Sequence, residues 1–308
     1  MSRIHEALMK AAEERSAESP NSSASDVVDV VAQIPRPLIP TATLTAESTP
    51  REVRGSETAQ YLRYEDLMYR CSHTEWGINP QFSVFQNSDM RIGAERFQTL
   101  RSRLYQIANT RRLRRVLVTS SVPAEGKTFV VSNLAQSIAR QPDRRILLID
   151  ADLRAPRLHL LLGAPSSPGL TDYLRGAADE YSVIQNGSVG NLCFIACGKE
   201  VSNPSELLFG AQMKKLLDLV TPAFDWIILD SPPALPVHDS SMLADLCDGV
   251  LFVVRAGETS HELAERASSE FRSKNPLGVV LNYVDVDEGA SYGGYYYNYS
   301  AESEKDNK

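Results

Sequence analysis

From about residue 114 the chain alternates short, continuous apolar runs with amphipathic stretches, and few architectures tolerate that pattern. The runs "RRVLVTS", "RILLIDA", "DWIILDS", "GVLFVVRA" and "LGVVLNYV" read as strands. Between and after the first of them, "TFVVSNLAQSIAR", "SELLFGAQMKKLLDLV", "SSMLADLC" and "SHELAERASSEFR" read as helices. Strands that are apolar on successive residues must be covered on both faces, which requires helices on both sides of the sheet. The pattern predicts an α/β fold built on a mainly parallel, doubly wound sheet. In such sheets ligands bind beyond the carboxyl ends of the strands.

Upstream, "RIGAERFQTLRSRLYQIA" sets Phe97, Leu100, Leu104 and Ile107 at helical spacing. The folded domain is therefore expected over 91–288. Residues 1–16 suit a short helix with Ile4, Leu8 and Ala11 or Ala12 on one face. Residues 17–90 are expected to be mostly flexible linker, because as far as about 57 they are rich in Ser, Thr, Pro, Ala and Glu and offer little apolar area to bury. A tail follows over 289–308. It holds Tyr292, Tyr295, Tyr296, Tyr297 and Tyr299, five of the twelve tyrosines in the chain.

A net charge of -7 argues against nucleic acid as the main partner. The start lacks the apolar stretch of a secretory signal, and runs such as "VLFVV" are strand-sized, so a cytoplasmic protein is expected. The four cysteines show no paired metal spacing, and Cys193 and Cys197 are expected to line a buried strand.

The first strand runs into "TSSVPAEGKTFVV", where Gly126, Lys127 and Thr128 fit the phosphate-loop pattern G-x-x-x-x-G-K-[ST] and Ser121 stands in place of the first glycine. If Ser121 takes the required turn, Ser121, Val122, Pro123, Ala124, Glu125, Gly126, Lys127, Thr128 and Phe129 form the nucleotide-binding loop, with backbone N–H groups from about 123 to 129 curled round the phosphates at a helix N-terminus. Lys127 then reaches the β and γ oxygens, and the Thr128 hydroxyl ligates Mg²⁺. Two other strand ends carry carboxylates: Asp150 and Asp152 in "ILLIDADLR", and Asp230 in "WIILDSPP". Carboxylates there are costly unless they face a metal, a partner or water. Helix capping or a solvated loop would explain any one of them; all three beside a phosphate loop point to a Mg²⁺–nucleotide.

Together these residues resemble the bacterial tyrosine kinases of exopolysaccharide and capsule synthesis, relatives of the partitioning-type ATPases. The resemblance spans about residues 80–300, with "PAEGKT" as Walker A, "LLIDADLRAP" as the family's extra Walker A′ and "IILDSPPALPVHDS" as Walker B. It implies a P-loop fold of the partitioning-ATPase type, with ATP and Mg²⁺ as cofactors. Under it Lys127, Asp150, Asp152 and Asp230 are the catalytic set, with Asp150 helping to deprotonate the incoming tyrosine. Thr128, Asp150 and Asp230 lie at the metal, Asp230 holding it directly or through water. Asn282, ending "GVVLN", matches a position that contacts adenine in relatives; a strand-end turn is the plain alternative. Asp239 is expected to be the N-cap of the helix in "HDSSML".

The resemblance makes the tyrosine tail a tethered substrate, modified between subunits of a ring. Full modification adds roughly -1.5 to -2 charges per tyrosine. Relatives carry an E-x-x-R-x-x-R oligomer contact in the helix over 91–108; here Glu95 and Arg101 match and Gln98 replaces the middle arginine. The implied partners are a membrane polysaccharide co-polymerase or chain-length regulator as activator, further copies of the chain, and a tyrosine phosphatase. Recruitment to the inner face of the membrane would come through the activator. The competing reading is a partitioning-type ATPase switch without phosphotransfer, its tail an interaction segment.

Overall fold

The computed structural model describes residues 61–87, 90–187 and 189–284. The chain divides after Gly55, and the described residues belong to the second unit, from Ser56 onward. The predicted helix over 1–16, most of the linker and the tail over 289–308 lie outside the described residues.

The described residues contain an eight-stranded sheet in the order β1-β4-β5-β3-β6-β2-β7-β8. At its centre are β2 (Arg115–Ser120), β3 (Ile146–Asp150), β6 (Trp226–Asp230) and β7 (Gly249–Arg255), with β5 (Leu192–Ile195) beyond β3 and β8 (Pro276–Asn282) at one edge. These six run parallel. The far edge, β4 (Ile184–Asn186) and β1 (Ser72–His73), runs the other way, because β4 pairs antiparallel with β5.

Alternate strand residues feed two cores. Leu147 and Ile149 face one core with Met213 and Leu216 of α8 (Ala211–Val220). Ile146 and Leu148 face the other with Val131 and Leu134 of α3 (Lys127–Ala139), against which packs α2 (Arg91–Thr110). Period-2 alternation with both faces apolar is what a doubly wound sheet demands. Cys193 lies on β5 at 0% exposure and Cys197 just beyond it at 3%. The stretch read as one helix over 205–220 is two, α7 (Pro204–Phe209) and α8, because the backbone at Gly210 is extended with ψ 155.

The end of the expected linker is corrected by the structure. Residues 61–87 belong to the fold, with α1 (Tyr64–Arg70), β1 and a 3₁₀ turn at Pro80–Phe82. Leu67 is completely buried, and burial of such a side chain stabilises by roughly 1.5–3 kcal/mol. Trp76 packs edge-on against Phe194 at 6.1 Å, beside Gly187, where any Cβ would lie 2.1 Å from the indole. Polar side chains of α3 complete the attachment: Asn133 accepts from the Val84 N–H at 2.9 Å, and Gln136 accepts from the Ser83 hydroxyl at 2.7 Å. Sparse apolar residues hid this segment in the sequence; their tertiary partners order it.

Candidate active site

The loop leaving β2 takes the phosphate-loop form. Its left-handed positions are Ala124 at φ 67 and Gly126 at φ 87; Ser121 is outside the left-handed region, so a serine serves there without strain. The left-handed backbone favours glycine at 126, and a Cβ there would also sit 2.0 Å from Asn282 Nδ2 and displace that side chain. The loop is braced from within by Glu125, which is buried. Its Oε2 accepts from the Val122 N–H at 2.8 Å and its Oε1 from the Thr259 hydroxyl at 2.5 Å. Asn282 donates to the Glu125 carbonyl at 3.0 Å, so the strand-end residue touches the loop backbone. Phe129 lies inside the first turn of α3 with its ring against Phe97 at 6.0 Å, and Pro123 and Ala124 are exposed at the loop tip.

Parallel pairing brings the carboxylates together. Asp150 and Asp230 are register partners on β3 and β6, at the same edge as the loop. Lys127 Nζ lies 2.8 Å from Asp152 Oδ2 and 3.8 Å from Asp230 Oδ1. The Thr128 hydroxyl donates to Asp230 Oδ2 at 2.7 Å. Asp150 accepts from the Leu158 N–H at 3.1 Å through Oδ2, while Asp152 Oδ1 accepts from the N–H groups of Arg154 and Ala155. The sequence-predicted residues Lys127, Thr128, Asp150, Asp152 and Asp230 thus converge on one edge.

The electrostatics are unbalanced. Burial, reinforced by the Asp230 charge, pushes the Asp150 carboxyl well above the usual range. Burial likewise raises Asp230 to about 6, although Lys127 and the Thr128 hydroxyl pull it down. Burial pulls the Lys127 ammonium down, but Asp230 and Asp152 outweigh it and hold it above its ordinary value. One lysine faces three aspartates. Asp150 Oδ1, Asp230 Oδ1 and the Ser121 hydroxyl are buried without a hydrogen-bond partner among the described residues. Unpartnered hard oxygens in excess over cationic charge, next to a helix N-terminus, fit a divalent cation with phosphate oxygens.

Several placements differ from expectation. Asp239 is the first residue of α9 (Asp239–Ala244), and its N-cap is His238. The buried Asp239 carboxylate instead accepts from Arg154 Nε at 2.8 Å and from the Ser205 hydroxyl at 2.7 Å, because a guanidinium offers it more than the helix end does. Arg154 and Thr259 were not singled out from the sequence, and Glu125 was expected in the phosphate loop but not as its internal brace. The first carried a signal, its place two residues after Asp152 in the Walker A′ stretch "LLIDADLRAP". Glu95 is exposed on α2, whereas Arg101 donates from Nη1 to the Ser137 carbonyl at 2.6 Å and ties α2 to α3. The tail tyrosines lie outside the described residues.

Strand, phosphate loop, helix and two aspartate-ended strands define a P-loop nucleotide-binding protein. No family model matches the chain. It is 32% identical over 206 residues to the tyrosine-protein kinase YwqD of Bacillus subtilis, a match covering 66% of this chain and 86% of that protein. Identity to the tyrosine-protein kinase ptk of Acinetobacter johnsonii is 35% over 211 residues, 68% of this chain and 28% of that longer protein. The kinase domain of the Escherichia coli tyrosine kinase ETK superposes with a TM-score of 0.58 at 31% identity, covering 63% of this chain and 78% of that one. The Mg-ADP complex of the septum site-determining protein MinD from Pyrococcus horikoshii shares the fold, with a TM-score of 0.50 at 18% identity over 58% of this chain and 76% of that one. The fold is thus that of the partitioning-type P-loop ATPases. The chain belongs to the bacterial tyrosine-protein kinases.

Proposed function

We propose that this chain is an ATP-dependent autokinase that phosphorylates its own C-terminal tyrosine cluster in trans within an oligomer. The observation that carries the reading is the junction of Lys127 with Asp152 and Asp230, beside the unpartnered oxygen of Asp150. Lys127 and the loop N–H groups would hold the terminal phosphates of ATP. Thr128 and Asp230, with Asp150 near them, would hold Mg²⁺, which when bound neutralises phosphate charge. A tyrosine hydroxyl has a reference pKa of about 10, so it needs a base as it attacks. Asp150, whose carboxyl is raised by burial, is suited to accept that proton on Oδ1. Asp152 orients Lys127, and the buried strand ends exclude water from the reacting atoms. The phosphoryl group passes from ATP to the phenol oxygen and ADP leaves.

The acceptors in this reading are Tyr292, Tyr295, Tyr296, Tyr297 and Tyr299, with Glu95 and Arg101 contributing to the contact between copies. Asn282, which donates to the Glu125 carbonyl of the loop, would contact the adenine base in this reading. The cellular role would be control of exopolysaccharide polymerisation or export. A membrane co-polymerase would activate the kinase and recruit it to the inner face of the membrane, and a tyrosine phosphatase would reset it. Among the described residues no helix is long and apolar enough to cross a membrane.

The test is phosphosite mass spectrometry after incubation with Mg²⁺–ATP and the activator's cytoplasmic segment, beside a Lys127→Ala control. Phosphotyrosine within 292–299 that disappears in the control is the expected result. An unmodified tail under those conditions would favour the ATPase switch instead.

A further inference from the structure

We propose that Arg154 is a specificity residue for the acceptor: held at the mouth of the site by Asp239 and Ser205, its guanidinium pairs with a carboxylate of the incoming segment and selects tyrosines flanked by acidic residues. The inference rests on the kinase reading above.

Arg154 follows β3 on the ligand-binding edge of the sheet. Its own N–H binds Asp152 Oδ1 at 3.3 Å, and Asp152 in turn pairs with Lys127 at 2.8 Å, so the side chain departs within one short loop of the phosphate lysine. The Arg154 side chain is 40% exposed, while that of Asp239 is 3% exposed. Nε donates to Asp239 Oδ2 at 2.8 Å and Nη2 to the Ser205 hydroxyl at 2.9 Å, with Asp239 Oδ1 at 3.4 Å. Ser205 closes the triangle on Asp239. Nη1 donates to nothing among the described residues. A surface arginine ordinarily loses rotamer freedom when it binds; this one is already fixed, with one side of its fork open.

Charge decides what the open side recognises. Asp150, Asp152 and Asp230 oppose the entry of any acidic segment, and Arg154, joined on its loop by exposed Arg157, offers the opposite sign beside them. The acceptor segment of the proposed reaction is acidic on both sides of its tyrosines. Over 285–308 it carries Asp285, Asp287, Glu288, Glu302, Glu304 and Asp306 against Lys305 and Lys308. An arginine preset for a carboxylate fits such a segment better than a neutral one.

The experiment measures initial phosphorylation rates of two synthetic peptides by the full-length protein with Mg²⁺–ATP. One peptide is residues 285–308; the other has its six acidic residues replaced by the matching amides. KM for the amide peptide is expected to be about tenfold higher, with a smaller change in kcat. In Arg154→Glu the order of the peptides inverts when the second carries lysines instead of amides, and Arg154→Lys, which keeps the charge, retains part of the preference. Because the first comparison uses the unaltered protein, it does not depend on a variant folding. Equal KM values, or use of neither peptide while the protein's own tail is phosphorylated, overturn the assignment and leave the kinase reading standing. Absence of phosphotyrosine anywhere removes both.

Discussion

Two central strands, β3 and β6, end in aspartates at the carboxyl end of the sheet, while Asp225 and Asp248 stand just before β6 and β7 at the other end, and the two ends treat those charges in opposite ways. At the amino-terminal end Asp248, Asp225 and, from α8, Asp218 all have partners. Asp248 accepts from the N–H groups of Arg114 and Arg115 at 2.8 and 2.9 Å, Asp225 accepts from the Arg145 N–H at 2.9 Å, and Asp218 pairs with Arg115 at 2.8 Å and Lys214 at 2.6 Å. The hydrogen bond from Lys214, with help from Arg115, holds the Asp218 carboxyl below its ordinary range. At the carboxyl edge Asp150 and Asp230 are buried, each has an oxygen without a hydrogen bond, and both are raised. One edge secures the fold. The other retains an electrostatic cost that a ligand relieves.

The largest effect that tests this contrast is Asp230→Asn. It should reduce tail phosphorylation by about a hundredfold or more, since it removes charge that acts on the reacting phosphate. The same change should stabilise the ligand-free protein by about 1–3 kcal/mol, as expected for removing a buried acid whose pKa is raised by about two units. Chemical denaturation and kinase assays on one preparation check both; a variant less stable than its parent would contradict the contrast.

The pH dependence follows with a definite sign. The folded-state pKa of Asp230 is raised from 3.8 to about 6, so its contribution to stability is present below the lower value and lost as pH rises through the upper one. The difference in unfolding free energy between the unaltered protein and Asp230→Asn should therefore open as pH rises from about 4 to about 6 and stay level above that. Mg²⁺ with ADP should close the gap at neutral pH, because binding requires the ionised carboxylate.

At the opposite edge Asp248→Ala should destabilise by about 1–3 kcal/mol, since it leaves two backbone N–H groups without their acceptor. The folded fraction should retain ADP affinity, measured by calorimetry. The smallest effect is expected for Asp218→Asn, within about 0.5–1 kcal/mol, because its partners are held at an exposed position. Its sign with pH is reversed: a lowered pKa contributes stability that is lost as pH falls through the folded value.

Much of the molecule is legible in the sequence. Apolar strands in alternation with helices implied the doubly wound sheet, since no other layer arrangement buries such strands on both faces. The loop residues and the three strand-end aspartates were legible because phosphate and metal chemistry restrict residue type, spacing and position at once. Residues 61–87 were not, because their order comes from Asn133, Gln136 and Phe194, remote positions whose contribution no local pattern records. The reversed direction of β4 was equally hidden, as strand pairing is chosen between distant segments.

What the sequence by itself determined was which chemistry this chain carries and the layered fold that presents it. Only the tertiary structure decided how the charges are shared. Strand register set Asp150 opposite Asp230, and the approach of α9 took Asp239 from its expected helix cap to Arg154. The packing of the chain joined Glu125 to Thr259 across the phosphate loop. The physical reason is common to all three: a side chain's residue type states what it can bind, but the partner it receives depends on distances across the fold that only packing creates.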